Sequence, residues 1–187
     1  MSSKLFTPFS IGKLELANRI TIAPMCQYSA VDGSMTDWHM QHLGNLALSG
    51  ASLLIVEATG VAPEGRITPN CTGLYSDENE AAMGRVVKFV RSISPIRIGV
   101  QLAHAGRKAS TQRPWEGRSF LKNGEGAWQT VAPSAIPLAA GWPTPPMSRV
   151  TDETVIAVSI PKGGSPSEGR QTPQEMKQKN VFQLNNE

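Results

Sequence analysis

Apolar residues along this chain form short continuous runs separated by segments with helical spacing, which is the pattern of an α/β protein. Three β-favouring residues at 20–22, the apolar run at 51–56 and the segment 96–102 predict strands, and the second has the continuous apolar character of a strand buried on both faces. Offsets of three, four, seven or eight residues predict two intervening helices. Their inward stripes are His39, Leu43, Leu46 and Ala47 in the first helix and Met83, Val86, Val87 and Val90 in the second. This alternation predicts right-handed crossovers and a parallel sheet.

Capping residues support the helix predictions. Thr36-Asp37 and Ser76-Asp77 stand where N-caps are expected, and Gly50 follows the first helix in the usual C-terminal position. Residues 5–16 predict a small hairpin before the first main strand. The segment 150–158 reads like a helix start with Thr151 as its N-cap.

Two segments depart from this regularity. Residues 108–149 form a long proline-rich stretch with three of the four tryptophans, which favours an ordered capping loop over a disordered one. Residues 161–187 hold too few apolar side chains to pack and are predicted to be disordered. We therefore predict a domain at residues 1–160, with about three βα units and the capping loop, and a divergent tail at 161–187. A frameshift, a retained intron or an alternative transcript would each produce such an ending.

Composition excludes several classes of protein. A formal net charge of +3 without a long basic run argues against nucleic-acid binding. No apolar stretch is long enough for a membrane span or a secretory signal, so we expect a cytoplasmic protein. The two cysteines, Cys26 and Cys71, lack metal-ligand spacing and are expected to be reduced thiols. His39 and His42 lie three apart on a helix, but no third ligand is evident and no metal is predicted.

The chemistry of the chain is expected where the first strand ends. Pro24 stops that strand, and Met25, Cys26, Gln27 and Tyr28 follow it with a thioether, a thiol, an amide and a phenol. Parallel α/β folds place ligands at the carboxyl ends of their strands. The cluster is therefore read as one wall of a cofactor site. A core strand followed by a buried structural cysteine is an equally open reading of the same residues.

Three runs of sequence resemble one family. They are N-R-I-T-I-A-P-M-C-Q-Y at residues 18–28, L-L-I-V-E-A-T-G-V-A-P-E-G-R-I-T at 53–68 and I-G-V-Q-L-A-H-A-G-R-K-A-S at 98–110. In order and spacing they resemble the Old Yellow Enzyme family, and the cysteine after Pro-Met resembles its bacterial and fungal branch of ene-reductases and xenobiotic reductases. The resemblance implies the N-terminal part of an FMN-binding TIM (β/α)8 barrel. It also implies transfer of hydride from NADPH to FMN and then to an electron-poor alkene or other xenobiotic.

The resemblance also implies roles for individual residues. Ala23, Pro24, Met25 and Cys26 would lie along the flavin ring, with Cys26 tuning its reduction potential. Tyr28 would face the substrate. Ala58 would let the second strand approach the flavin, and Gln101 would offer its amide to the pyrimidine edge. His104 is expected to hold local structure by hydrogen bonding.

A TIM barrel needs about 250 residues, whereas this chain has 187. The family's substrate-anion pair, proton-donating tyrosine and phosphate loops would lie beyond the point at which the resemblance ends. Three hypotheses follow: an FMN-dependent NADPH dehydrogenase, a catalytically inactive truncated fragment, and a thiol enzyme using Cys26 as a redox nucleophile. The third hypothesis is the weakest, because no basic residue that would lower the pKa of Cys26 lies near it in sequence. The sequence leaves a homo-oligomer open.

Overall fold

The computed structural model describes residues 3–147 and the backbone of 157–159. A 3-10 turn at Lys4–Phe6 precedes an antiparallel hairpin of β1, Phe9–Ile11, and β2, Leu14–Leu16. The main elements then alternate: β3, Thr21–Ile22; α1, Asp37–Ala47; β4, Leu53–Gly60; α2, Asp77–Ile93; and β5, Arg97–Ala103. The predicted hairpin, three strands and two helices are thus confirmed, with β4 running four residues further than expected.

Both helices begin at caps that the sequence supplies. The backbone N–H of Thr36 donates to Nδ1 of His39 at 3.0 Å, so the third residue of α1 caps its own helix. At α2 the Ser76 hydroxyl accepts from the Asn79 N–H at 3.3 Å. The predicted inward residues of α2 are all buried, as are those of α1 except the partly buried Leu46. Each helix therefore buries the face on which the predicted inward residues recur at helical spacing.

The sheet runs in the order β3-β4-β5, and both pairings are parallel. Leu54, Val56, Ile98 and Val100 belong to the core cluster that the helices cover. Because side chains alternate across a strand, the intervening residues face the opposite side of the sheet. That opposite face, at the carboxyl ends of the strands, is where the predicted site residues lie.

The proline-rich stretch is an ordered cap, as its tryptophans indicate. The Trp128 indole N–H donates to the Glu64 carbonyl at 3.0 Å, and the Arg66 guanidinium lies 5.5 Å from the Trp128 ring centroid. Trp142 packs edge-on against Phe120 with centroids 5.7 Å apart. The Trp128 contacts tie the segment to the loop that follows β4, whereas the Trp142–Phe120 contact joins two parts of the segment itself. No helix in the described part of the chain is long and apolar enough to cross a membrane.

The predicted helix start over 150–158 is contradicted at its end. Residues Ala157–Ser159 form a strand, β6, which pairs antiparallel with β5 from Gly99 to Gln101, and residues 150–156 lie outside the described residues. The outer edge of β5 offers unpaired backbone groups, which a short β-favouring segment can satisfy better as a strand than as an isolated helix turn. The predicted tail at 161–187 lies outside the described residues.

Candidate functional site

The segment after β3 presents alternate side chains to the open face of the sheet. Ala23 is exposed and Met25 is 51% exposed. Pro24, which lies between them, and Cys26, which follows them, are half-buried. Pro24 ends the strand because it lacks a backbone donor. The result is a shelf of small and flexible apolar side chains beside the end of β4.

Ala58 and Gln101 lie side by side on the same face. They are register partners in the β4–β5 pairing, and the register shifts between Val56 and Ala58 so that Glu57 is the extra residue of a β-bulge. Both Ala58 and Gln101 are half-exposed. Gln101 lies within β5 and not at its end as the sequence suggested, because β5 continues to Ala103. The small alanine therefore leaves open space next to an amide with both a donor and an acceptor.

A buried contact between His39 and Glu57 behind the shelf fixes its position. Nε2 of His39 lies 3.2 Å from Oε1 of Glu57, with the two side chains 1% and 3% exposed. Since Nδ1 of His39 accepts from the Thr36 N–H, Nε2 carries the ring proton that faces Glu57. The other Glu57 oxygen, Oε2, accepts from the Gln27 N–H at 2.9 Å. Helix α1 and strand β4 together thus hold the loop that carries Cys26.

The same loop is held on its outer side by side-chain hydrogen bonds. The Gln27 amide donates to the Met25 carbonyl at 2.8 Å and accepts from the Trp38 indole at 3.1 Å. Tyr28 takes a left-handed backbone, with φ 52°, and its ring meets Trp115 edge-on with centroids 5.7 Å apart. Burial raises the pKa of the Tyr28 phenol above its usual value. Tyr28 therefore remains a protonated hydrogen-bond donor at neutral pH.

Cys26 has a neighbour that sequence reasoning missed. Interaction with the Cys71 thiol, together with burial, raises the pKa of the Cys26 thiol well above that of a free thiol. Forty-five positions separate the two cysteines in sequence, so spacing alone gave no signal of their contact.

The other singled-out histidines have structural roles. Since His39 is engaged by Thr36 and Glu57, it is not half of a metal pair with His42, and burial lowers the pKa of His42. Nδ1 of His104 accepts from the Gly106 N–H at 3.1 Å, which fits the expected local hydrogen bonding. His104 also packs so closely on Gly65 that a Cβ there would lie 2.9 Å from its ring. A cavity of about 340 Å³ lies at the opposite end of β5, lined by Arg91 to Ile98, far from these residues.

The residues of the shelf fit the ring portion of a flavin. A planar aromatic cofactor needs small side chains under its face and polar groups at its edge. Ala23 and Ala58 supply the first, and Gln101 supplies the second. The described residues contain no cluster of three metal-ligating side chains that would suggest a metal centre instead. The parallel sheet, with this shelf at the carboxyl ends of its strands, is that of the N-terminal part of an α/β barrel.

Comparison with known proteins places the chain in its family. It belongs to the NADH:flavin oxidoreductase / NADH oxidase family, which matches residues 4–136. An NADH:flavin oxidoreductase of Gibberella zeae is 47% identical over 143 residues, which cover 75% of this chain and 34% of that protein. An NADPH dehydrogenase of Bacillus subtilis is 44% identical over 114 residues, covering 60% of this chain and 33% of that enzyme.

Solved structures agree with the family and the fold. Morphinone reductase in complex with tetrahydroNAD matches with a TM-score of 0.58 and 32% identity. The match covers 72% of this chain and 34% of the morphinone reductase chain. An Old Yellow Enzyme from Pichia sp. matches with a TM-score of 0.58 and 30% identity. The match covers 71% of this chain and 32% of the Old Yellow Enzyme chain. The resemblance seen in the three sequence runs is thus confirmed. The chain spans about a third of the length of the relatives it matches.

Proposed function

We propose that the open end of the β3-β4-β5 sheet forms the ring-binding part of an FMN site, in an NADPH dehydrogenase that reduces an electron-poor alkene. The observation that supports this most directly is the register pairing of Ala58 with Gln101 beside the Cys26 loop. When bound, FMN supplies the hydride chemistry. The Bacillus subtilis relative named NADPH dehydrogenase and the family membership favour this reaction class.

Each residue of the shelf has a distinct part in the proposal. Ala23, Pro24 and Met25 lie along the ring, and Ala58 leaves room for it. The Gln101 amide hydrogen-bonds the pyrimidine edge, where its donor and acceptor orient the ring. Tyr28, kept protonated by its raised pKa, donates to a polar group of the alkene substrate. Trp115 covers the Tyr28 ring on one side and so limits the directions in which the phenol points.

A second candidate function, a catalytically inactive fragment, is favoured by the extent of the described sheet. The described residues build three parallel strands, and β6 then runs antiparallel on the edge of β5. TIM barrels build their phosphate site from loops after strands seven and eight. On this reading the 187-residue chain by itself is catalytically silent.

A chimera tests the proposed function without depending on the rest of the barrel. In this Gibberella chimera, residues 4–136 replace the matching segment of the Gibberella zeae relative. We expect purified chimera to hold FMN and to oxidise NADPH in the presence of an enone, with NADH compared in the same assay. A folded chimera that binds no flavin would contradict the proposed site.

Replacing Cys26 by alanine in the chimera tests its tuning role. The flavin should stay bound, because affinity comes mainly from phosphate contacts and ring burial, while its reduction potential should shift. Loss of one hydrogen bond of about 1 kcal/mol corresponds to roughly 20 mV for a two-electron couple. Potentiometric titration of the Cys26→Ala chimera against its parent measures the shift. Loss of flavin with an unchanged potential in the residual bound fraction would show that Cys26 only packs.

A further inference from the structure

Residues 111–120 of the capping segment form a hairpin-like loop with a closed base, which we call the Trp115 loop. Thr111 and Phe120 form an antiparallel bridge. The Gln112 N–H donates to the Ser119 carbonyl at 2.9 Å, and the Ser119 N–H donates to the Gln112 side-chain oxygen at 3.3 Å. The loop therefore leaves the segment and returns to it at one fixed point.

Glu116 closes the tip of the Trp115 loop. Its Oε2 accepts from the Arg113 backbone N–H at 3.0 Å, and its Oε1 accepts from the Arg113 guanidinium. These hydrogen bonds from Arg113 lower the pKa of the Glu116 carboxyl, which is therefore ionised at neutral pH. An exposed ion pair contributes little to stability by itself, so the tip also needs the hydrogen bonds at the base to keep its shape.

Trp115 lies at this tip, in contact with two side chains. The Arg113 guanidinium lies 5.4 Å from the centroid of the Trp115 ring, within the range of a cation–π contact. The ring meets that of Tyr28 edge-on, with an angle of 84° between the planes and 5.7 Å between the centroids. Trp115 is nevertheless 65% exposed. Its indole is thus held against the phenol of Tyr28 while much of its apolar surface stays open.

We propose that Trp115 is a specificity-determining residue, which closes the space next to the Tyr28 phenol and selects enones that carry no bulky group beside their carbonyl. This role rests on the proposed function, because it takes the phenol as the donor to the substrate. It adds a substrate class to that function. A large, immobilised apolar side chain beside a single hydrogen-bond donor is how small-molecule sites commonly fix both orientation and size.

The reach of the phenol determines which substituents meet the indole. A carbonyl oxygen that accepts from the phenol lies about 2.7 Å from the phenol oxygen. A substituent on the carbon beside that carbonyl is then only a few bonds from Tyr28, within reach of a side chain that packs on the phenol ring. The alkene carbons extend the other way, toward the shelf on which the flavin ring is proposed to lie. Trp115 therefore restricts the carbonyl side of the substrate and leaves its reacting side free.

Hydrogen exchange of the purified 187-residue chain tests the loop without any flavin. The Gln112 N–H and the Glu116 N–H both donate to backbone carbonyls within the loop. We expect both amides to exchange at least about tenfold more slowly than in an unstructured peptide, and Glu116→Ala to speed exchange at the tip. Exchange of both amides at the unstructured rate in the parent chain would overturn the proposal, because the indole would then have no fixed position.

Substrate preference tests the specificity directly in the Gibberella chimera. The ratio of kcat/KM values is measured for cyclohexenone and for its analogue with two methyl groups on the carbon beside the carbonyl. We expect the chimera to prefer cyclohexenone and Trp115→Ala to reduce that preference about tenfold, mainly by lowering KM for the bulkier analogue. Trp115→Phe should reduce it by a smaller factor. Leu48→Ala, which truncates an equally exposed side chain at the other end of α1, should leave it unchanged.

Flavin absorbance and the rate of flavin reduction by NADPH are measured on each chimera before any enone is added. A flavin-loaded chimera whose preference stays the same in Trp115→Ala would overturn this role of Trp115 and leave the proposed function standing. A parent chimera that binds no flavin would overturn both. If Trp115→Ala does not fold, Trp115→Phe decides, and an unchanged preference in that variant would likewise overturn the proposal.

Discussion

The purified 187-residue chain is expected to bind FMN several orders of magnitude more weakly than the Gibberella chimera, and to reduce no enone. Its described sheet offers the ring shelf, but TIM barrels hold the cofactor phosphate in loops after strands seven and eight. Each charge-assisted hydrogen bond to a phosphate is worth about 1.5–3 kcal/mol, and the described residues contain none of those loops, so affinity should be reduced steeply. Fluorescence titration with FMN, followed by an NADPH and enone assay, measures both expectations.

The chimera serves as the matched control, because it carries the same residues 4–136 on a full-length background. Stoichiometric yellow protein from the 187-residue chain, with turnover near that of the chimera, would show that this chain holds FMN by another route. The second candidate function, a catalytically silent chain, would then be wrong.

Replacing Glu57 by alanine should produce the largest loss of folding stability among the site residues. The change leaves two buried N–H groups, Nε2 of His39 and the Gln27 backbone N–H, without the carboxylate that each of them faces. Leaving a buried donor without its partner typically costs about 1–3 kcal/mol, so losing two is a large share of the stability of a small domain. Urea unfolding of the Glu57→Ala chimera, followed by circular dichroism, should show this decrease in the free energy of unfolding.

Two further variants distinguish the loss of the His39–Glu57 contact from the general effect of removing a carboxylate. Glu57→Gln keeps the size of the side chain and one acceptor oxygen. Its decrease in the free energy of unfolding should therefore be smaller than that of Glu57→Ala. Glu15→Ala removes an exposed carboxylate on β2 and should change stability by less than about 0.5 kcal/mol. A Glu57→Ala protein as stable as Glu15→Ala would mean that the His39–Glu57 contact does not support the loop.

The order of the main elements follows from local patterns in the sequence. Met83, Val86, Val87 and Val90 sit at helical offsets, and all four are buried in α2. The apolar run that ends at Val56 predicts a strand over 51–56, because the apolar pattern stops at Glu57. The structure continues β4 to Gly60 by a bulge at Glu57, a feature set by the neighbouring strand and not by propensity.

The parts of the site that sequence reasoning missed are contacts between distant segments. A charged residue at the end of a buried apolar run, with a histidine on the inward face of the preceding helix, was a usable signal for the Glu57–His39 pair. The contacts of Cys26 with Cys71 and of Tyr28 with Trp115 carried no such signal, because each depends on how long loops fold back. The helix start predicted over 150–158 is contradicted at residues 157 and 158 for a related reason, since they pair with the edge of β5, which is distant in sequence.

Blocking the shelf with one larger side chain tests the central claim, that the carboxyl ends of β3, β4 and β5 hold the flavin ring. In the Gibberella chimera, Ala58→Leu fills the space beside Gln101, and Ala81→Leu makes the same change on the exposed surface of α2. The ratio of FMN absorbance to protein, measured on folded samples, decides between them. We predict near-complete loss of flavin in Ala58→Leu and none in Ala81→Leu. Full flavin occupancy in Ala58→Leu would contradict the placement of the ring.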